Sequence, residues 1–162
     1  MSRLLGNSLP PLLQAQLDGK HLEEQRGQAI QITTVDPSGW PHPALVSYAE
    51  LLALSPHCLR LAVYHDGQTA DNLRRDGRLT LCFVQPDLAL YVKAHARLLP
   101  TLAQFPKLAA FELWVELVLE DFSRSEVEGT AQLASGITFR LGADAVVQGD
   151  RAQQILNALA HL

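Results

Sequence analysis

Apolar and polar positions alternate with a period of two along much of this chain. In residues 58–64, Leu59, Leu61 and Val63 alternate with Arg60, Ala62 and Tyr64, the pattern of a half-buried strand. His65-Asp66-Gly67 then breaks the alternation, as turn residues do. A short helix is expected next, with Thr69 as its cap, Asp71 in its first turn and Arg74 and Arg75 in its last. Asp76-Gly77 ends it, and Leu79, Leu81 and Phe83 restore the period of two.

The same reading extends outward from this unit. Leu12, Leu13, Leu17 and Leu22 predict an amphipathic helix over residues 9–25, with Pro10 and Pro11 in its first turn. Ile30 and Ile32 mark a first strand, and Asp36-Pro37-Ser38-Gly39 is a turn. A second strand is expected from Pro41 through Tyr48, with room to continue through Leu54. Residues 88–99 read as a strand and 101–109 as a short helix. In residues 111–122, Phe111, Leu113, Val115, Leu117 and Leu119 face one way, and Trp114 and Val118 interrupt the acidic face of Glu112, Glu116 and Glu120. Residues 123–134 are polar, residues 135–139 predict a short strand, and a final helix capped by Asp150 carries Ile155, Leu156 and Leu159.

This gives six or seven strands, mostly joined by turns, and hence an antiparallel sheet. The expected class is mainly β, a barrel with peripheral helices. A doubly wound fold needs a helix after nearly every strand, and this chain does not supply them. The 162 residues are expected to form a single domain, residues 1–162.

Composition narrows the chemistry. The net charge is −4 and the 13 lysines and arginines are scattered, which argues against a nucleic-acid partner held on a broad basic face. No stretch approaches the ~20 apolar residues of a membrane span, and the N-terminus lacks the apolar run of a signal peptide. A cytoplasmic protein without a membrane partner is expected. Cys58 and Cys82 read as reduced, buried and unreactive. The six histidines form no HxH or HExxH pattern, and GxSxG, Walker A and GxGxxG motifs are absent, so no metal and no catalytic side chain is assigned.

One feature remains. A strand that runs through a glycine turn into a helix leaves main-chain N–H groups free to hold a phosphate. Its neighbours match in order: Gly39-Trp40-Pro41 before a strand, strand 58–64, Thr69-x-x-Asn72-Leu73, Asp76-Gly77-Arg78, and Tyr91-Val92-Lys93-Ala94. This order, over roughly residues 10–140, resembles the pyridoxamine 5′-phosphate oxidase-like FMN-binding split-barrel family. The resemblance implies a six- to seven-stranded antiparallel split β-barrel with FMN as cofactor, and the wide apolar allotment of strands 88–99 and 111–119, with Trp114 and Val118 on the otherwise acidic face, predicts a homodimer. The resemblance also implies that Leu45, Val46, Ser47 and Tyr48 lie along the flavin ring and that Gln68 and Thr69 face the phosphate. Asn72 and Arg74 complete the implied cofactor-binding set, with Arg74 or Arg75 available as a phosphate cation.

The match departs from the oxidases where charge matters. They carry arginine where Ala44 stands, an Arg-Lys pair where Gln68-Thr69 stands, and glutamine where Ala89 stands. The resemblance therefore implies an FMN-binding oxidoreductase of unspecified substrate. Two alternatives stand beside it: a non-catalytic split barrel that has lost FMN, and a binder of another planar cofactor such as deazaflavin or haem, for which His161 is the one hint.

Overall fold

The structure is a computed structural model that describes residues 2–122, 132–143 and 145–162. Its strands are β1 (Ser2–Gly6), β2 (Ala29–Val35), β3 (Pro41–Ser47), β4 (Leu51–Ser55), β5 (Cys58–Tyr64), β6 (Arg78–Gln85), β7 (Leu88–Leu98) and β8 (Leu108–Asp121). Its helices are α1 (Pro11–Gln16), α2 (Gln68–Arg75) and α3 (Ala145–Ala160). The sheet is antiparallel throughout, in the order β3-β2-β6-β7-β8-β5-β4, and β1 joins the far half of β8.

This order forces the sheet to curl. β3 and β4 are its two outermost strands, yet only the 3-10 turn Tyr48–Glu50 separates them in sequence. Six inter-strand spacings would hold them about 29 Å apart in a flat sheet. The backbone from Ser47 to Leu51 can span at most about 14 Å. The ends must therefore approach, which makes the split barrel expected from the sequence.

The barrel interior holds Ile30, Ile32, Leu51, Leu59, Leu61, Leu81, Phe83, Val92, Phe111 and Leu113, together with Leu13 and Leu17 from α1 and the residues after it. A second cluster lies outside the barrel, where Ile155, Leu156 and Leu159 of α3 cover Leu52, Ala62 and Ala110. That face of β5 is therefore not solvated: Arg60 donates Nη1 to the Leu159 carbonyl at 2.6 Å. Cys58 and Cys82 are free, half-buried thiols, and burial pushes both of their pKa values up.

Several local expectations shift for identifiable reasons. The helix expected over 9–25 is only α1; the chain turns at Gly19, whose φ of +77° lies in the left-handed region. No helix forms over 101–109. Leu102 is buried within turns, and Pro106 removes a donor that a helix there would need. In β8 the alternation holds through Val115 and then changes phase. Lys93 pairs with Leu117 and Ala94 with Val115, so Glu116 is an extra residue. Beyond this bulge Val118 is fully buried, while Leu117 and Leu119 are half-buried. The expected strand 135–139 is a single bridge, Gln28 to Thr138. α3 starts at Ala145, so Asp150 lies inside it and not at its cap. Most of the polar stretch 123–134 falls outside the described residues.

Candidate functional site

β3 is an edge strand, so half of its main-chain groups face away from β2. Parity tells which half. Asp36 donates its N–H to the Trp40 carbonyl at 2.9 Å, which turns the even-numbered residues toward β2. Pro41, Pro43, Leu45 and Ser47 therefore face the open edge. The two prolines have no N–H, and Ser47 donates its own to Glu50 Oε2 at 2.7 Å. Among the described residues, the open edge of β3 is left with one main-chain donor without a partner, Leu45 N–H, and a row of carbonyls. The Leu45 side chain is 47% exposed, while Val46 points into the core.

The turn after β3 is held from within. Ser47 Oγ also donates to Glu50 Oε2, at 3.0 Å. Tyr48 is buried, and its hydroxyl accepts from Gln85 Nε2 at 2.9 Å. Burial raises the Tyr48 pKa, with the Gln85 bond opposing. Burial likewise raises that of Glu50, against the two Ser47 bonds and the charge of Arg151.

The phosphate candidates sit on α2. The helix is capped by Gly67, so Thr69 is its second residue and not its cap. Gly67 N–H is taken by the Tyr64 carbonyl, and Asp71 N–H returns to Gly67. The N–H groups of Gln68, Thr69 and Ala70 have no partner among the described residues. Gln68 is exposed and Thr69 half-buried. Gln68 Nε2 donates to Asn72 Oδ1, and Asn72 Nδ2 to Thr34 Oγ1, each at 2.9 Å. Asn72 is 1% exposed and ties α2 to β2. Arg74 Nη1 donates to the His65 carbonyl and to Asp71, both at 2.9 Å, and Arg75 binds the Val35 carbonyl.

The two sets of residues are separated along the sheet. Asn72 bonds Thr34, which pairs with His42, whereas Ser47 pairs with Ala29. Five residues of strand make roughly 17 Å. Only an elongated ligand would touch both ends.

A cavity of about 590 Å³ opens beside the far end of β3. Leu45, Ser47, Tyr48 and Glu50 form one wall, Gln25 and Arg26 a second, and Phe139, Arg140 and Leu141 a third. Sequence reasoning missed Gln25, Arg26, Glu50 and Arg140, because these walls come from separate segments. One local signal was present: Ser47-x-x-Glu50 is the spacing at which a carboxylate reaches back to a helix-start N–H. Among the described residues, no group of three or more His, Cys, Asp or Glu side chains could hold a metal ion, and no helix is long and apolar enough to cross a membrane.

A barrel whose ends meet at a three-residue turn, with an open β3 and a glycine-capped α2, can be compared with known proteins. The family model described as pyridoxamine 5′-phosphate oxidase matches residues 17–136. The chain belongs to the pyridoxamine 5′-phosphate oxidase-like split-barrel family. Within it, the uncharacterised protein YclD of Bacillus subtilis (strain 168) is 32% identical over 127 residues, 77% of this chain and 79% of YclD. A candidate pyridoxamine 5′-phosphate oxidase from Lactobacillus delbrueckii superposes with a TM-score of 0.57 at 22% identity, covering 73% of this chain and 98% of that one. An FMN-binding protein from Syntrophomonas wolfei gives 0.53 at 14% identity, over 70% and 90% of the two chains. At these identities the two structures establish the split-barrel fold.

Proposed function

We propose that this split-barrel protein binds FMN along the open edge of β3 and serves as a flavin-dependent oxidoreductase. The observation that carries the reading is the pairing of two donor sets on one elongated track. The ring end is offered Leu45 N–H and the carbonyls of the β3 edge, with Val46, Ser47 and Tyr48 behind them. The phosphate end is offered the free N–H groups of Gln68, Thr69 and Ala70, the Thr69 hydroxyl and the remaining nitrogens of Arg74. The Syntrophomonas wolfei relative, described as FMN-binding, supports the choice of ligand.

The donor set fits a monophosphate without a dedicated cation. Arg74 is tethered, and Asp66 and Asp71 lie nearby, so affinity rests on main-chain donors. Asn72 fixes the angle at which α2 presents them. FMN, when bound, supplies the electron transfer; the protein positions it and shields it. A homodimer belongs to this reading, since Trp40, Leu45 and Trp114 are large apolar side chains left exposed on a single chain.

The test is a flavin titration of the wild type and of Thr69→Asp. At ~4 Å and an effective dielectric of about 20, carboxylate and phosphate repel by about 4 kcal/mol per charge before screening. FMN affinity should fall a hundredfold or more. The melting temperature of the flavin-free protein should hardly move, because aspartate is favourable in a helix's first turn. Unchanged affinity in the variant places the phosphate elsewhere. A wild-type protein that ignores FMN rejects the reading in favour of a barrel that has lost its flavin.

A further inference from the structure

The cavity beside β3 carries polar groups that the flavin reading leaves unused. Gln25 is 6% exposed, and its Oε1 is buried with no partner among the described residues. Arg26 gives Nη1 to Glu23 at 3.0 Å, while its Nη2 is buried and also without a partner. Both residues line the cavity. Native proteins seldom strand a buried acceptor and a buried donor, and two on one wall point to an absent partner. Arg140 lines the opposite wall and forms no ion pair among the described residues. Glu50 spends Oε2 on Ser47, and its other oxygen has no partner among the described residues. Leu22, Leu45, Phe139 and Leu141 supply the apolar surface.

We propose that this cavity is a binding site for a small apolar monocarboxylate that carries an N–H donor. Arg140 and the free side of Arg26 take the carboxylate, and Glu50 or Gln25 accepts from the N–H. The charges favour this class. Glu23, Arg26, Glu50 and Arg140 sum to zero and Arg151 adds one positive charge acting on Glu50, so one carboxylate is matched and a dianion is not. A volume of about 590 Å³ suits a single compact molecule. The site stands as a binding site without flavin. Its use as the substrate chamber rests on the flavin reading, because Leu45, Ser47 and Tyr48 are common to both.

The test uses three matched probes on the flavin-free protein by calorimetry. Indole-3-acetate has the carboxylate and the N–H, indole-3-acetamide lacks the charge, and 1-methylindole-3-acetate lacks the N–H. Indole-3-acetate should bind about tenfold or more tightly than the amide, the worth of one charge-assisted hydrogen bond, and more tightly than its methylated form. Arg140→Gln should cut the preference for acid over amide about threefold or more, with Arg26 holding the remainder. Arg140 is exposed, so this variant should fold as the wild type does. Equal affinity for acid and amide, no binding of the acid, or a preference that Arg140→Gln leaves unchanged overturns the proposal. Failure of FMN to bind leaves these outcomes readable and rejects only the substrate role. A shift of the bound flavin's spectrum on adding indole-3-acetate supports that role.

Discussion

Replacing Asn72 by alanine tests whether α2 is held to the barrel by one buried amide. Asn72 and Thr34 are each 1% exposed and share a 2.9 Å hydrogen bond. Truncation removes that bond, worth about 1 kcal/mol net, and strands the Thr34 hydroxyl, a penalty of about 1–3 kcal/mol. Thr34 retains only a long 3.4 Å contact to the His42 carbonyl. The bond from exposed Gln68 adds little, since water replaces it. The sum is about 2–4 kcal/mol, or a melting temperature lower by roughly 5–15 °C for a chain of this size. Urea unfolding of Asn72→Ala, Thr34→Val and the double variant measures the link. Each single change strands one buried partner, whereas the double change strands neither. The double variant should therefore lose at least about 1 kcal/mol less than the two singles combined. Strict additivity, or a neutral Asn72→Ala, would refute the account of how α2 is positioned.

Two further outcomes follow, one from the cavity wall and one from the contact of Gly136 with β6. Burial raises the Glu50 pKa, so protonation is easier in the folded chain than in the unfolded one, and the stability this contributes falls as pH rises from the unfolded value through the folded one; Glu50→Gln, which keeps an acceptor for Ser47, should gain on the wild type in urea midpoint as pH rises above ~4, and an opposite trend would contradict the stated cause. A Cβ on Gly136 would overlap the Val84 carbonyl oxygen, so Gly136→Ala should loosen the bonds Asp87 N to Leu133 O, Ala29 N to Ile137 O and Phe139 N to Gly27 O, seen as lost hydrogen-exchange protection at Asp87, Ala29 and Phe139, with unchanged protection counting against it.

The barrel was legible because its strands announce themselves locally. Leu59, Leu61 and Val63 alternate within one strand, and the boundaries 58–64 follow from its turns. Failures came where a distant element decides. The bulge at Glu116 depends on the register with β7, so residues 111–122 alone could not reveal that Val118, and not Leu117, turns inward. The solvated face expected for β5 is covered by α3, about a hundred residues away in sequence. The helix expected from Leu12 to Leu22 has a sound apolar period, yet the backbone turn at Gly19 outweighs it. For the site, β3 and α2 were visible as motifs. The cavity was not, since residues 22–27, 45–50, 139–142 and 148–152 meet only in three dimensions.

The edge of β3 joins the fold's main liability to the proposed flavin site. An open strand edge is a template for pairing with another chain, and proteins protect such edges with proline and short lengths. Here Pro41 and Pro43 remove two of the four outward donors, and Glu50 occupies a third through Ser47. A fully passivated edge would have silenced the fourth as well. Leu45 N–H instead has no partner among the described residues, next to an exposed Leu45 side chain and at the mouth of the cavity. An incoming strand needs a run of alternating donors and acceptors, which this edge no longer offers. A compact ligand needs only one well-placed donor with acceptors beside it. The sequence Pro-His-Pro-Ala-Leu-Val-Ser therefore selects against strand addition while keeping the contact that a planar ring edge would use.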